Sequence, residues 1–349
     1  MRAGGRPPAP PHPGLGCGAM SDGPALRSGS RSSAAPLLDL AAVGTPGGPL
    51  VVCADGDGAV WTWEPLRDVW RSRPLAYAFT GDPLAAAYPD AENEIDAVAA
   101  VVAGGRVVLA AGGAEQGPAL WDLESGALIR GTDYDAPYLG AVTAVRGAAP
   151  PRFVTGSQYV GELRVWAPSA GTAPLELPSG EADIVGLAAA SVAGRALAAA
   201  VGLGVDVWDL TRGERVAELD CAGEEVGAVS ITRLGDRPIV AVAAGADVRV
   251  WGLSGDGAEA LRAAVTGHGA PILAMDTAVV GGRPVAVTAS EDGAVRMWDL
   301  VEAAPVGTPF GHGSGAVLLR TAEFRGRPVV LGTGGDGAIR VWDLAAALP

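Results

Sequence analysis

Residues 283–300 read RPVAVTASEDGAVRMWDL, and residues 327–344 read RPVVLGTGGDGAIRVWDL. The two stretches share one layout: Arg-Pro, an apolar run, a turn of Gly and Asp, a second apolar run, and Trp-Asp-Leu. Looser copies surround Trp63, Trp121, Trp166, Trp208 and Trp251. With Trp298 and Trp342 these make seven tryptophans, at steps of 58, 45, 42, 43, 47 and 44 residues. A fixed period of that size is the mark of one supersecondary unit copied along the chain.

The unit is a set of strands. Its apolar runs are five to eight residues long, rich in Val, Ile and Thr, and bounded by Gly, Pro and Asp, which predicts strands and not helices. Gly282-Arg283 and Gly326-Arg327 mark tight hairpin turns. A third run precedes each pair, such as residues 95–102, 140–145 and 227–232. A more polar run, such as 213–219, follows each tryptophan and suits a half-exposed outer strand. Four strands in each of seven units predict an all-β fold, a seven-bladed β-propeller of four-stranded antiparallel blades.

The motifs resemble those of the WD-repeat (Trp-Asp) family. Trp-Asp stands at 121–122, 208–209, 298–299 and 342–343, and Gly-His at Gly267-His268 and Gly311-His312. The resemblance covers residues 36 to 349. It departs from the family pattern at Glu64, Ala167 and Gly252, which follow Trp63, Trp166 and Trp251. In the family an N-terminal segment completes the last blade. Only seven residues follow Trp342, so a sheet edge would otherwise lie open. Residues 24–33 are the candidate strand. The expected division is a disordered tail over 1–23, rich in Pro, Gly and Ser, and one propeller over 24–349.

Composition narrows the function classes. The chain is 49% hydrophobic, which strands apolar on both faces explain. No apolar stretch approaches the roughly 20 residues of a spanning helix. All 25 basic residues are arginine and Asn93 is the single asparagine, a bias expected of a high-GC, actinobacterial-like bacterium. Cys17, Cys53 and Cys221 show no metal or disulfide spacing and are expected to be reduced thiols in a cytoplasmic protein. The chain has no HExxH, G-x-S-x-G, P-loop or CxxC motif. No catalytic residue, metal or other cofactor is therefore expected.

His268, Thr288, Asp292 and Trp298 invite a catalytic reading, since a hydroxyl, an imidazole and a carboxylate can form a nucleophile, base and orienter. The resemblance implies instead a structural tetrad, a buried hydrogen-bond chain from indole to carboxylate. Repeat seven keeps His312, Asp336 and Trp342 but has Gly332 in the hydroxyl position. Repeat one has Asp57 and Trp63, with Cys53 there. Uneven decay of this kind suits a copied structural network.

Net charge is −14, and the resemblance sorts it onto two faces. The loops expected on the top carry Asp82, Asp90, Glu92, Glu94, Asp133, Asp135, Glu181, Asp183, Asp220, Glu224 and Glu225, with Tyr88, Tyr134 and Tyr138 among them. The opposite hairpins carry Arg106, Arg152, Arg195, Arg237, Arg283 and Arg327, an arginine ring to which Arg146, Arg233 and Arg325 add. Carboxylates beside aromatic rings suit a basic partner. The expected function is a non-catalytic, monomeric protein-interaction scaffold that binds basic segments on its top face, without nucleic-acid or membrane partners. Two alternatives stand: a lactonase-like propeller enzyme with a metal in the central channel, and an anion or nucleic-acid reader using the arginine ring. The overall acidity opposes the second.

Overall fold

The computed structural model describes residues 27–29, 35–80, 93–133, 136–177, 183–255, 257–261, 265, 267–311, 316–334 and 337–348. They contain seven four-stranded sheets. Blade 1 runs Leu37–Thr45, Gly48–Asp55, Val60–Glu64 and Val69–Ser72, from the axis outward. Blades 2 to 6 repeat this order, with inner strands Ala97–Ala103, Leu139–Ala144, Gly186–Val192, Val226–Leu234 and Ile272–Val280. Each inner strand touches that of the next blade, and Ala316–Phe324 of blade 7 touches Leu37–Thr45 of blade 1, so the circle closes.

Blade 7 takes its outermost strand from the other end of the chain. Arg27–Gly29, inside the expected segment 24–33, pairs antiparallel with Ile339–Asp343, placing Arg27 opposite Val341 and Gly29 opposite Ile339. The edge left by the last strand is thereby covered. The tail expected over 1–23 lies outside the described residues.

The hairpins follow the turn chemistry of the sequence. Val280 pairs with Arg283 and Phe324 with Arg327 across two-residue loops. Gly281 and Gly282 have φ of 58° and 84°, the left-handed conformation of a type I′ turn. The second strand of each blade lies between two strands and two neighbouring blades. In Arg283–Ser290 every residue after the first is therefore buried, as for a sheet covered on both faces.

Seven apolar clusters hold the ring, one at each junction between blades, and each contains one of the seven repeat tryptophans. Trp121 packs with Val52 and Ala54 of blade 1 and with Ile95 just before the inner strand of blade 2, and Trp63 with Phe324, Val329 and Leu331 of blade 7. The period of the sequence is thus the period of the blade-to-blade junctions. Removing one such indole leaves a cavity that costs about 3–5 kcal/mol.

Candidate functional site

In blade 6 the four expected side chains meet. The Trp298 indole N–H donates to Thr288 Oγ1 at 2.7 Å. Thr288 Oγ1 lies 2.7 Å from His268 Nε2, and His268 Nδ1 lies 2.9 Å from Asp292 Oδ2. One direction runs through the four side chains: indole N–H to hydroxyl oxygen, hydroxyl O–H to Nε2, and Nδ1–H to carboxylate, with the Arg296 guanidinium 2.7 Å from both Nδ1 and Asp292 Oδ2 and donating to the carboxylate. Burial lowers the His268 pKa, outweighing the pull of Asp292, and nearby Arg296 lowers it further, so the ring is neutral. Burial opposes the charge of Asp292, yet His268, the Ala294 and Gly269 N–H groups and Arg296 hold its carboxyl well below the usual range. Thr288 is fully buried and its oxygen is taken up by the indole. The arrangement leaves no room for a substrate carbonyl against that hydroxyl.

Strand register shows why the chain is incomplete elsewhere. Thr288 lies two residues beyond Ala286, the partner of Trp298. The same position is Cys53, Ala111, Thr155, Ala200, Val242 and Gly332 in blades 1, 2, 3, 4, 5 and 7. Thr155, not singled out in the sequence, accepts the Trp166 indole N–H at 2.8 Å. Trp63 donates to Asp68 and Trp121 to the Ala76 carbonyl, so Asp57 and Cys53 do not form a partial tetrad with Trp63. A Cβ on Gly332 would lie 2.7 Å from the Trp342 ring; the indole itself fills the space a threonine would need. His312 and Asp336 lie outside the described residues. Trp208 and Trp251 are buried at their junctions.

Most of the arginine ring is neutralised within its own blades. Arg106 pairs with Asp122 at 3.3 Å, Arg195 with Asp209 at 2.9 Å, Arg283 with Asp299 at 3.5 Å, and Arg327 with Asp343. Each acid is the Asp of a Trp-Asp pair, because the hairpin and the end of the third strand meet on one face. Where Gly252 replaces that Asp, the Arg237 guanidinium lies over the glycine and reaches Glu259 at 3.0 Å. Arg152 is partly buried.

Arg146 does not join this ring. It follows the inner strand of blade 3 and turns into the central channel. Its guanidinium donates to Asp276 Oδ1 at 3.0 Å, the Thr277 carbonyl at 3.1 Å and Thr321 Oγ1 at 3.2 Å. It also donates to Ser230 Oγ at 3.0 Å and the Ile231 carbonyl at 2.6 Å. One side chain from blade 3 thus ties blades 5, 6 and 7. Arg320 of blade 7 donates to Asp39 of blade 1 at 2.8 Å, and Asp39 accepts the Val98 N–H of blade 2 at 3.0 Å. Burial opposes the charge of Asp276, but Arg146, the Thr321 N–H and Ser230 overcome it and lower its pKa. For Asp39 burial prevails over Arg320 and the pKa is raised. The rest of the channel is lined largely by alanines around a cavity of about 120 Å³. Among the described residues no three His, Cys, Asp or Glu side chains cluster as metal ligands.

Of the residues expected on the top face, Asp82, Asp90, Glu92, Tyr134, Asp135 and Glu181 lie outside the described residues, as does the side chain of Asp133. The long step between Trp63 and Trp121 begins with a stem running along blade 2. Asn93 accepts the Ala78 N–H at 2.9 Å and donates to the Ala76 carbonyl at 3.1 Å, so the lone asparagine clips the base of the excursion. Phe79–Thr80 then pairs in parallel with Thr132–Asp133. Beyond this stem, Glu94, Glu115 and Tyr138 line an open groove between blades 2 and 3. Asp183 accepts the Tyr159 N–H at 2.8 Å. The Glu224 side chain lies against Gly245, whose N–H donates to the Glu225 carbonyl at 3.0 Å.

Residues 260–299, which carry the complete tetrad, match the family model "WD domain, G-beta repeat". That stretch is similar to a WD repeat. With the seven blades it supports a WD-repeat β-propeller. The mRNA export factor GLE2 of Chaetomium thermophilum is 34% identical over 116 residues, covering 30% of this chain. The shared stretch spans 31% of that protein's length. Among solved structures, the crystal structure of the computationally designed Ika8 protein is similar at a TM-score of 0.59 and 19% identity, covering 89% of this chain and 97% of that one. That likeness concerns the fold alone. A WD-repeat propeller fits a protein-interaction scaffold, and polar networks in the channel join the blades of this chain.

Proposed function

We propose that the chain is a non-catalytic cytoplasmic scaffold, active as a monomer, whose top face binds a basic segment of a partner protein. The observation that carries this reading is the unequal treatment of charge on the two faces. The opposite-face arginines are mostly matched by acids of their own blades. The top-face carboxylates Glu94, Glu115 and Asp96 stand together, and no arginine pairs with them among the described residues. Burial first, and then the charges of Glu115 and Asp96, raise the Glu94 pKa; the second part reflects like charges held close together. Such a cluster attracts a basic segment at long range and with strong salt dependence.

A hexa-arginine peptide tests the reading. It should bind the wild type, and binding should fall as salt rises from 50 to 300 mM. Replacing Glu92 and Glu94 with Gln, and Asp133 and Asp135 with Asn, should weaken binding and flatten the salt dependence. Equal binding by the fourfold variant would refute the proposal.

A further inference from the structure

The groove between blades 2 and 3 has more than charge. It encloses about 540 Å³, and its walls include Tyr77, Phe79, Tyr138 and Tyr159 beside Glu94 and Glu115. The rings form two pairs: Tyr77 and Phe79 with centroids 5.4 Å apart, and Tyr138 and Tyr159 edge to face at 6.3 Å. Tyr159 is 69% exposed, although a large ring there gains little from folding. It also holds a backbone φ of 67°, a left-handed conformation unfavourable to a side chain of its size. The Asp183 carboxylate, accepting its N–H, fixes it in that pose.

The floor of the groove carries a second, independent sign. Gln116 is fully buried. Its Oε1 accepts the Glu94 N–H at 3.0 Å, which settles the amide orientation, and its Nε2 has no hydrogen-bond partner among the described residues. A buried amide N–H without an acceptor is a standing cost to the fold. A carbonyl oxygen that reached Nε2 from the groove, which Gln116 helps to line, would remove it.

These groups ask for different parts of one ligand. The rings accept a flat cation on their faces. The two carboxylates accept its N–H groups. The Gln116 amide needs a carbonyl such as a peptide backbone supplies. We propose that this groove binds an arginine side chain of an extended peptide, with the guanidinium against Tyr138, Tyr159 and the Glu94–Glu115 pair, and a peptide carbonyl on Gln116 Nε2. Arginine is favoured over lysine because its planar fork can stack on a ring and serve a carboxylate at once. The inference rests on the reading of the top face as the receiver of a basic segment, and makes one groove its specific pocket.

The test uses the full chain and three blocked nonapeptides of alanine and serine, identical except for a central arginine, lysine or citrulline. Titration should show the arginine peptide binding about tenfold more tightly than its neutral citrulline twin, with lysine between them. Tyr138→Ala and Tyr159→Gly should each weaken the arginine peptide by about three- to thirtyfold, the range of a partly desolvated cation–π contact. Tyr159→Gly relieves the left-handed backbone, so its melting temperature should hold or rise while binding falls. That pairing separates a ligand-binding role from a structural one. If both tyrosine variants bind like wild type, or the citrulline peptide binds as well as arginine, the groove proposal is overturned. Salt-sensitive binding of hexa-arginine in that case would leave the broader reading standing, whereas its absence would remove both.

Discussion

Replacing Arg146 with Met tests whether the channel network holds the ring together. The substitution keeps an unbranched stem and removes the guanidinium that donates to Asp276, Thr277, Ser230, Ile231 and Thr321. Breaking a buried ion pair from one side costs about 3–5 kcal/mol, because the remaining charge is left uncompensated. Two features reduce that figure here. The Arg146 side chain is 38% exposed at the channel mouth, so water screens part of the pair. Asp276 also keeps neutral donors: Ser230 Oγ at 2.7 Å, the Thr277 N–H at 2.7 Å, and the Thr321 N–H and hydroxyl at 2.8 and 2.9 Å. An expected loss of about 2–4 kcal/mol follows. Unfolding entropy of roughly 2.1 cal/mol/K per residue gives about 0.6 kcal/mol/K for about 290 residues, so Tm should fall by about 3–6 °C. Arg106→Ala is the control: its pair with Asp122 is exposed on the arginine side and should cost under about 1 kcal/mol. Calorimetry at pH 7 reads both. Because Asp276 has a lowered pKa in the fold, the stability it contributes is present above its unfolded pKa and is lost as pH falls through the folded one. The difference between wild type and Arg146→Met should therefore narrow as pH drops below about 4. A Tm within a degree of wild type, or a loss equal to that of Arg106→Ala, would refute the reasoning.

Two further outcomes concern the blade tryptophans. The folded pKa of His268 is lowered, so the unfolded chain takes up the proton first and stability falls as pH drops below about 6.5. His268→Ala should lower Tm at pH 7.5, and the gap to wild type should shrink between pH 6.5 and pH 5; a gap that widens there would show a charged histidine in the fold. Gly332→Thr places the hydroxyl that blade 7 lacks, yet its Cβ meets the Trp342 ring at 2.7 Å. It should destabilise by about 1–3 kcal/mol, as overpacking does, and a rise in Tm would mean that the indole can move aside and donate to the new hydroxyl.

The contrast between the blade networks and the channel explains what the sequence could and could not disclose. Trp298 and Thr288 are ten residues apart, and Trp166 and Thr155 eleven. The first pair is visible from the family spacing. The second hides behind a turn one residue longer in blade 3, and only strand register makes the two positions equivalent. The N-terminal strand was legible because a missing edge is a one-dimensional deficit. Arg146 was not. A repeat comparison aligns each residue with its counterparts in other blades, and by that alignment Arg146 belongs with the hairpin arginines. The axis of a propeller obeys another rule: inner strands from every blade converge there, so side chains from unlike positions become neighbours. Arg146 meets Ser230, Asp276 and Thr321 across 84, 130 and 175 residues, and Arg320 meets Asp39 across 281. The sequence held one sign of this, the single acids inside the apolar runs LLDLAA and AMDTAV, since a carboxylate in a buried inner strand requires a partner. The top-face groove follows the same logic. Gln116 opens the third strand of blade 2 and Tyr159 sits in a turn of blade 3, and neither residue alone suggests a site. Their convergence at one blade junction, beside the clipped stem of the longest step, is what marks a place on the periodic scaffold.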